Sequence, residues 1–451
     1  MEFINEAFIH SLMNDSSLRN GSLQLDIIGK AKEAKGLSLK DSAALLNVTS
    51  RDILEELFNA AKEVKEKIFG KRLVVFAPLY ITNSCVNNCL YCTFRRDNKD
   101  LKRKSLTLEE IEEETCLMVQ QGQKRLLLVA GEHPKNAALE FIGKAVEKIY
   151  SVKVNEGNIR RVDLNSAPMS VSNFKTLKNF GIGTYHCFQE TYDYNTYSLM
   201  HPDGPKSDYA WRLYAMDRAL QAGIEDVGIG SLFGLTDYRF EALGLLSHAL
   251  NLDERYGLGP HTISVPRILP ALNAQPEFNS PHAVDDAAFK KLVAVLRLAV
   301  PYTGILLSTR ENAEFRRELL NVGVSQIGTG SRTSLYTGQI SAEGDQRSLD
   351  EVVMDLLKLG FLPSFCTACC RSERTGDRFM ELAKAGSIGR LCLSNSVSSL
   401  KEYLLDYASE KTKLAGEDLL NARLGAENSG FLSEVIKMLE RVTDGERDVY
   451  V

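Results

Sequence analysis

The chain has 451 residues, is 44% hydrophobic and 25% charged, and carries a formal net charge of −5. That is globular composition, long enough for one large domain with appendages, and its acidic balance gives no support for nucleic-acid binding. No apolar run approaches a membrane span and Met1-Glu2-Phe3 does not open a signal peptide, so a soluble cytoplasmic protein without a membrane partner is expected.

Residues 1–70 read as a helical N-terminal segment. Counted from Ile53, apolar residues recur at i, i+1, i+4, i+5 and i+8, a helical stripe. From Arg72 the rhythm changes to short apolar runs between amphipathic stretches. The runs are 73–76, 126–129, 162–164, 184–188, 227–230, 262–265, 305–307 and 325–328. Thr107-Leu108-Glu109-Glu110 is a capping box that opens a helix to Gln121. Eight strands alternating with helices fit a (β/α)8 TIM-type barrel over 71–340. A doubly wound sheet is the alternative, but no Gly-x-Gly-x-x-Gly turn supports it.

After about residue 340 the strands stop. Capping boxes at Ser348–Glu351 and Ser399–Glu402 predict helices, so 341–451 reads as a helical C-terminal extension packed on the barrel.

Six of the nine cysteines form two triplets. Cys85-x3-Cys89-x2-Cys92 follows the first strand, at the barrel end where such folds place their chemistry. Cys366-x2-Cys369 is followed after twenty-two residues by Cys392, in loops between the C-terminal helices. Short-spaced cysteines in a reducing compartment point to metal binding rather than disulfides. Three thiolates can hold three irons of a [4Fe–4S] cube and leave the fourth open. A zinc loop is the bland reading, but no histidine lies near the first loop before His133. Cys116 and Cys187 read as buried apolar residues. Cys370 stands beside Cys369 as a competing thiolate, and the x2 spacing favours Cys369.

Cys-x3-Cys-x-aromatic-Cys after the first barrel strand, with Tyr91 as the aromatic, resembles the radical S-adenosylmethionine superfamily. The resemblance implies that the open iron chelates S-adenosylmethionine (SAM) and that electron transfer releases a 5′-deoxyadenosyl radical. Ala130-Gly131-Glu132, ending the second strand, resembles the segment contacting the methionyl amino group, with Ala130 replacing a glycine. Glu190 and Arg212 resemble the pair on the cofactor's ribose and carboxylate.

The second triplet narrows the resemblance. Its spacing, with Arg374–Met380, Phe188–Tyr192, His201–Lys206 and Gly259–Ser264, is similar to the tyrosine lyases of the [FeFe]-hydrogenase maturase HydG type. Cys370 and Glu373 depart from that family's pattern. The family implies radical SAM cleavage of the Cα–Cβ bond of L-tyrosine to p-cresol and dehydroglycine. On an auxiliary iron–sulfur cluster with an additional iron, the dehydroglycine becomes CO and cyanide, building the iron–carbonyl–cyanide precursor of the hydrogenase site. It implies His261 as a ligand of that iron, a cysteine molecule as another, an electron donor such as ferredoxin or flavodoxin, and a maturation scaffold protein as recipient.

Arg310, after strand seven, is placed to clamp an amino-acid carboxylate, with Ser331 and Arg332 as further candidates for that pocket. The alternatives are a thiazole-pathway-like tyrosine lyase that releases dehydroglycine, or a non-catalytic iron–sulfur carrier.

Overall fold

A computed structural model describes residues 3–269, 280, 282–330, 344–372, 374–384, 388–425 and 429–451. Its centre is a closed barrel of eight parallel strands: β1 Arg72–Thr82, β2 Arg125–Ala130, β3 Arg161–Asn165, β4 Tyr185–His186, β5 Val227–Gly230, β6 Thr262–Ser264, β7 Gly304–Leu307 and β8 Gln326–Gly328. Each strand pairs with the next, and β8 closes on β1 with Gln326 opposite Val74. All eight expected runs form strands.

Alternation explains why they curl into a barrel. Leu126, Leu128, Val162, Leu164, Ile263, Ile305 and Ile327 are buried in the shell between strands and helices. The residues between them, Arg125, Arg161, Asp163, His186 and Gln326, face the lumen. Glycines make that polar lining fit. A Cβ on Gly228 would sit 2.3 Å from His186 Nδ1, and one on Gly304 2.3 Å from Gln326 Nε2.

The N-terminal segment is helical as expected, ending in the long helix Arg51–Phe69 that packs on helix Asp286–Ala299. The Thr107 and Ser348 capping boxes are present, opening helices Leu108–Gln120 and Leu349–Lys358.

Three features of the C-terminal part differ from expectation. A ninth strand, β9 Leu362–Ser364, adds in parallel to the start of β1. β1 can serve three partners because it is eleven residues long: β9 at its beginning, β8 next, and β2 from Ala77 onward. Ser399 is not a helix cap, because Ile388–Asp406 is one uninterrupted helix. Glu402 lies inside that helix and turns toward the barrel, where it accepts two bonds from Arg160 (3.0 and 2.6 Å) and pairs with Lys124 at 3.1 Å. Cys392 accordingly sits on this helix rather than in a loop, and Cys369 lies in the four-residue helix Ala368–Arg371. No helix among the described residues is long and apolar enough to cross a membrane.

Candidate functional site: two thiol triplets at opposite mouths of one barrel

The first triplet lies at the mouth formed by the C-terminal ends of the strands, in the loop that follows Thr82. Arg103 fixes this loop, its guanidinium donating to the carbonyls of Asn83 (2.7 Å), Phe94 (2.9 Å) and Arg95 (2.5 Å). Cys85, Cys89 and Cys92 form no disulfide, and two sulfurs receive N–H donors: Phe94 N reaches Cys92 Sγ at 3.4 Å and Asn87 Nδ2 reaches Cys85 Sγ at 3.7 Å. Burial, with the neighbouring sulfurs, pushes the Cys92 thiol up to about 12, and burial also raises Cys89. Such thiols ionise when a cation ligates them.

Around this loop the expected cofactor residues converge. Gly131 approaches the thiol loop so closely that a Cβ would lie 2.5 Å from Ser84 O. Glu132 is held by Asn87 Nδ2 at 2.6 Å, while its carbonyl accepts from Val86 N. Ala130 precedes them at the end of β2. Glu190 follows β4 in a left-handed conformation, φ +71°. Its carboxylate meets Lys206 Nζ at 2.7 Å and Arg212 at 3.6 Å, and Arg212 is itself tied to Phe188 O at 2.6 Å. Tyr91 is fixed by a 2.9 Å bond to His201 Nε2. Two residues of this mouth were not singled out from the sequence. Lys206 stood only inside a longer matched stretch, and Asn87 lay unremarked between the first two cysteines. Neither has a spacing signal, since an isolated lysine or asparagine is an ordinary surface residue until the fold brings it to a carboxylate.

Arg310 lies at the same mouth, after β7, with its side chain exposed. Ser331 and Arg332 lie outside the described residues.

The second triplet lies at the opposite mouth, by the N-terminal ends of the strands. Cys366, Cys369 and Cys392 line a cleft of about 730 Å³, counting its open mouth, together with Arg72, His261 and Arg374. Its floor is the first turn of the lumen, Arg125, Arg161 and Gln326. Burial pushes the Cys369 thiol up to about 12 and raises Cys366. Burial also lowers His261, which keeps the imidazole neutral and able to ligate; its Nδ1 lies 3.0 Å from Thr262 Oγ1. Among the described residues Arg72 Nε, Arg374 Nε and Gln326 Oε1 are buried without a hydrogen-bond partner. Three thiols, a neutral imidazole and orphaned polar atoms around one cleft fit a metal cluster with further ligands. The side chain of Cys370 is outside the described part of the structure. Cys187 is 4% exposed in the main core, as expected of an apolar role. Among the described residues no three His, Cys, Asp or Glu side chains close around one point as the ligands of a single ion would.

Between the mouths the lumen is bridged by ions. Asp163 accepts from Arg125 at 2.6 Å and Arg161 at 2.8 Å, and Arg161 continues to Asp226 at 3.0 Å. Burial opposes ionisation there, but Arg125 and Arg161 outweigh it and hold the Asp163 carboxyl well below the usual carboxylate range.

A parallel barrel with three thiols and two carboxylates at the C-terminal ends of its strands defines a radical SAM protein. Residues 79–244 match the radical SAM superfamily model, and 264–362 match the biotin and thiamin synthesis associated domain. The chain belongs to the HydG family of [FeFe]-hydrogenase maturases. A crystal structure of HydG superimposes with a TM-score of 0.97 at 47% identity over the full length of both chains. HydG from Carboxydothermus hydrogenoformans gives 0.85 at 39% identity, covering 97% of this chain and 99% of that one. Among curated proteins, 2-iminoacetate synthase of Salmonella typhimurium is 30% identical over 71% of this chain and 82% of its own length. The chain is thus a radical SAM enzyme of the hydrogenase-maturation family, a class that carries a [4Fe–4S] cluster and SAM.

Proposed function

We propose that this protein cleaves the Cα–Cβ bond of L-tyrosine to p-cresol and dehydroglycine, and that the dehydroglycine yields CO and cyanide for the hydrogenase iron precursor. The observation that carries this reading is the second mouth, where Cys366, Cys369, Cys392 and His261 line one cleft at the far end of the same barrel.

In this reading Cys85, Cys89 and Cys92 would hold the barrel cluster, whose chemistry when bound would be the one-electron reductive cleavage of SAM. Gly131 lets the backbone approach the cofactor, Glu132 receives its ammonium, and Glu190 with Arg212 orients the ribose and carboxylate. Ala130 and Tyr91 wall the same pocket. Arg310, Ser331 and Arg332 are assigned to the tyrosine carboxylate. Lys206, already paired with Glu190, adds positive charge beside the thiols. At the other mouth, Cys366, Cys369 and Cys392 hold the auxiliary cluster, His261 holds the additional iron, and a cysteine molecule is its further ligand. A ferredoxin or flavodoxin supplies electrons, and a maturation scaffold takes the product.

The second reading is a lyase that stops at dehydroglycine, which is 2-iminoacetate; the relationship to 2-iminoacetate synthase supports it. One anaerobic assay separates the two. The reconstituted, reduced protein is given SAM and tyrosine, and 5′-deoxyadenosine, p-cresol, CO and cyanide are measured. All four products are expected. Cresol without CO would establish the second reading, and absence of 5′-deoxyadenosine would refute both.

A further inference from the structure

Glu190 has φ +71°, a backbone conformation that residues with a Cβ seldom take and that persists only where the surroundings hold it. The holding elements are the turn after β5 and the helix Tyr238–Tyr256. Glu190 and Ser231 form an isolated parallel bridge, and the Glu190 carbonyl accepts from Leu232 N at 2.8 Å and from Ser231 Oγ at 2.8 Å. Behind Ser231 lies Glu241, in the first turn of that helix and fully buried. It lies 2.6 Å from Ser231 Oγ, accepts from Tyr192 N at 3.1 Å, and bonds the Thr191 hydroxyl. The same helix grips the loop twice more. His248 Nδ1 meets the Tyr192 hydroxyl at 2.9 Å, and a Cβ on Gly244 would lie 2.6 Å from Tyr192 Cβ.

Ser231 has one hydroxyl proton and two acceptors within reach, the Glu190 carbonyl at 2.8 Å and Glu241 Oε2 at 2.6 Å, so it ties the Glu190 backbone to Glu241. Burial raises the Glu241 carboxyl to about 7, nearby Asp193 acts in the same direction, and the bonds from Ser231, Thr191 and Tyr192 oppose it.

We propose that Glu241 is a positioning residue for the cofactor, holding Glu190 through Ser231 in the left-handed conformation that presents its carboxylate to Lys206 at the C-terminal mouth, and so setting the affinity for SAM. The inference rests on the reading that Glu190 binds SAM, and the test separates the two. In the reconstituted holoprotein, the SAM dissociation constant is measured by anaerobic equilibrium dialysis, and the EPR spectrum of the reduced barrel cluster is recorded with and without SAM.

Ser231→Ala and Glu241→Ala should each raise the dissociation constant about tenfold, the scale of one lost buried hydrogen bond. They should also weaken the SAM-induced EPR change. Glu241→Gln, whose amide oxygen can still accept from Ser231 Oγ and Tyr192 N, should recover most of that loss. In a Glu190→Ala background, Glu241→Ala should cost nothing more. An equal cost in both backgrounds would overturn the inference, because it would mark a general structural role. Unchanged affinity in Ser231→Ala and Glu241→Ala beside weakened Glu190→Ala would also overturn it, while leaving the role of Glu190 standing. Parent-like affinity in Glu190→Ala would remove that role and the inference with it. If Glu241→Ala does not fold, Ser231→Ala decides alone, and an unchanged dissociation constant there is the overturning result.

Discussion

Replacing Glu402 by glutamine should cost about 3 kcal/mol of stability and release the auxiliary thiols before it disturbs the barrel. Glu402 bonds Arg160 twice, pairs with Lys124, and accepts from Asp448 N at 3.0 Å. The side chains of Lys124 and Arg160 are 3% and 5% exposed, so glutamine removes the carboxylate these two buried cations share and leaves Arg160 only its longer contact with Asp448 at 3.4 Å. Breaking one side of such a pair costs about 3–5 kcal/mol. The acid equilibrium gives a second figure. Burial raises the carboxyl, but the bonds and charge of Arg160 and the charge of Lys124 outweigh it and hold Glu402 at about 2 against an ordinary 4.5. At 1.36 kcal/mol per pKa step that difference is about 3 kcal/mol. Because the folded value is the lower one, this stability is complete above pH 4.5 and disappears as the pH falls through about 2. Urea unfolding at pH 7 should therefore separate parent and variant by about 3 kcal/mol, and the gap should narrow on acidification. Cys392 shares the helix of Glu402, so hydrogen exchange should quicken across 388–406 first, and the EPR signal of the auxiliary cluster should fall before that of the barrel cluster. A variant within about 0.5 kcal/mol of the parent at pH 7 would refute the reasoning, since that is the range of an ordinary surface change.

Cys369→Ala should keep p-cresol formation and lose CO; full CO release would refute the role given to the second triplet. His261→Ala should retain both clusters by EPR yet bind less of the additional iron, measured as iron per chain against the parent. Gly131→Ala puts a methyl 2.5 Å from Ser84 O and 3.5 Å from Cys85 Cβ, so the backbone of the thiol loop must shift to admit it. The SAM dissociation constant should rise at least about fivefold, as a cost of about 1–3 kcal/mol for overpacking implies, and parent-like affinity would show that the close approach has no bearing on the cofactor.

The barrel was legible because eight short apolar or β-branched runs alternate with amphipathic stretches, the order of a (β/α)8 fold. Within one of them, Val162 and Leu164 lie in the shell against the helices, which leaves Asp163 between them in the lumen. The first triplet was legible because three cysteines within eight residues cannot leave one loop. Ser399–Glu402 was misread for the opposite reason. A capping box is a local pattern, and the same two residues inside a helix look identical until Arg160 and Lys124 arrive from the barrel. β9 escaped notice because three residues carry no periodicity; its pairing is decided by the extra length of β1. Lys206 and Asn87 acquire meaning only through Glu190 and Glu132, which are distant in sequence.

The sequence by itself determined the barrel, the two thiol groups and their separation along the chain, since these follow from alternation and from spacing within short segments. Which mouth the second triplet occupies was decided by the tertiary structure. Cys366 and Cys369 follow β9, which pairs with the first residues of β1, and Cys392 is carried by a helix that Glu402 clamps to the barrel. That contact depends on burying two cations from other strands against one carboxylate. It places the second triplet with His261 at the N-terminal mouth, while the first loop leaves β1 at its other end. Neither pairing has a local signature, because each is a balance of burial and charge between residues hundreds of positions apart.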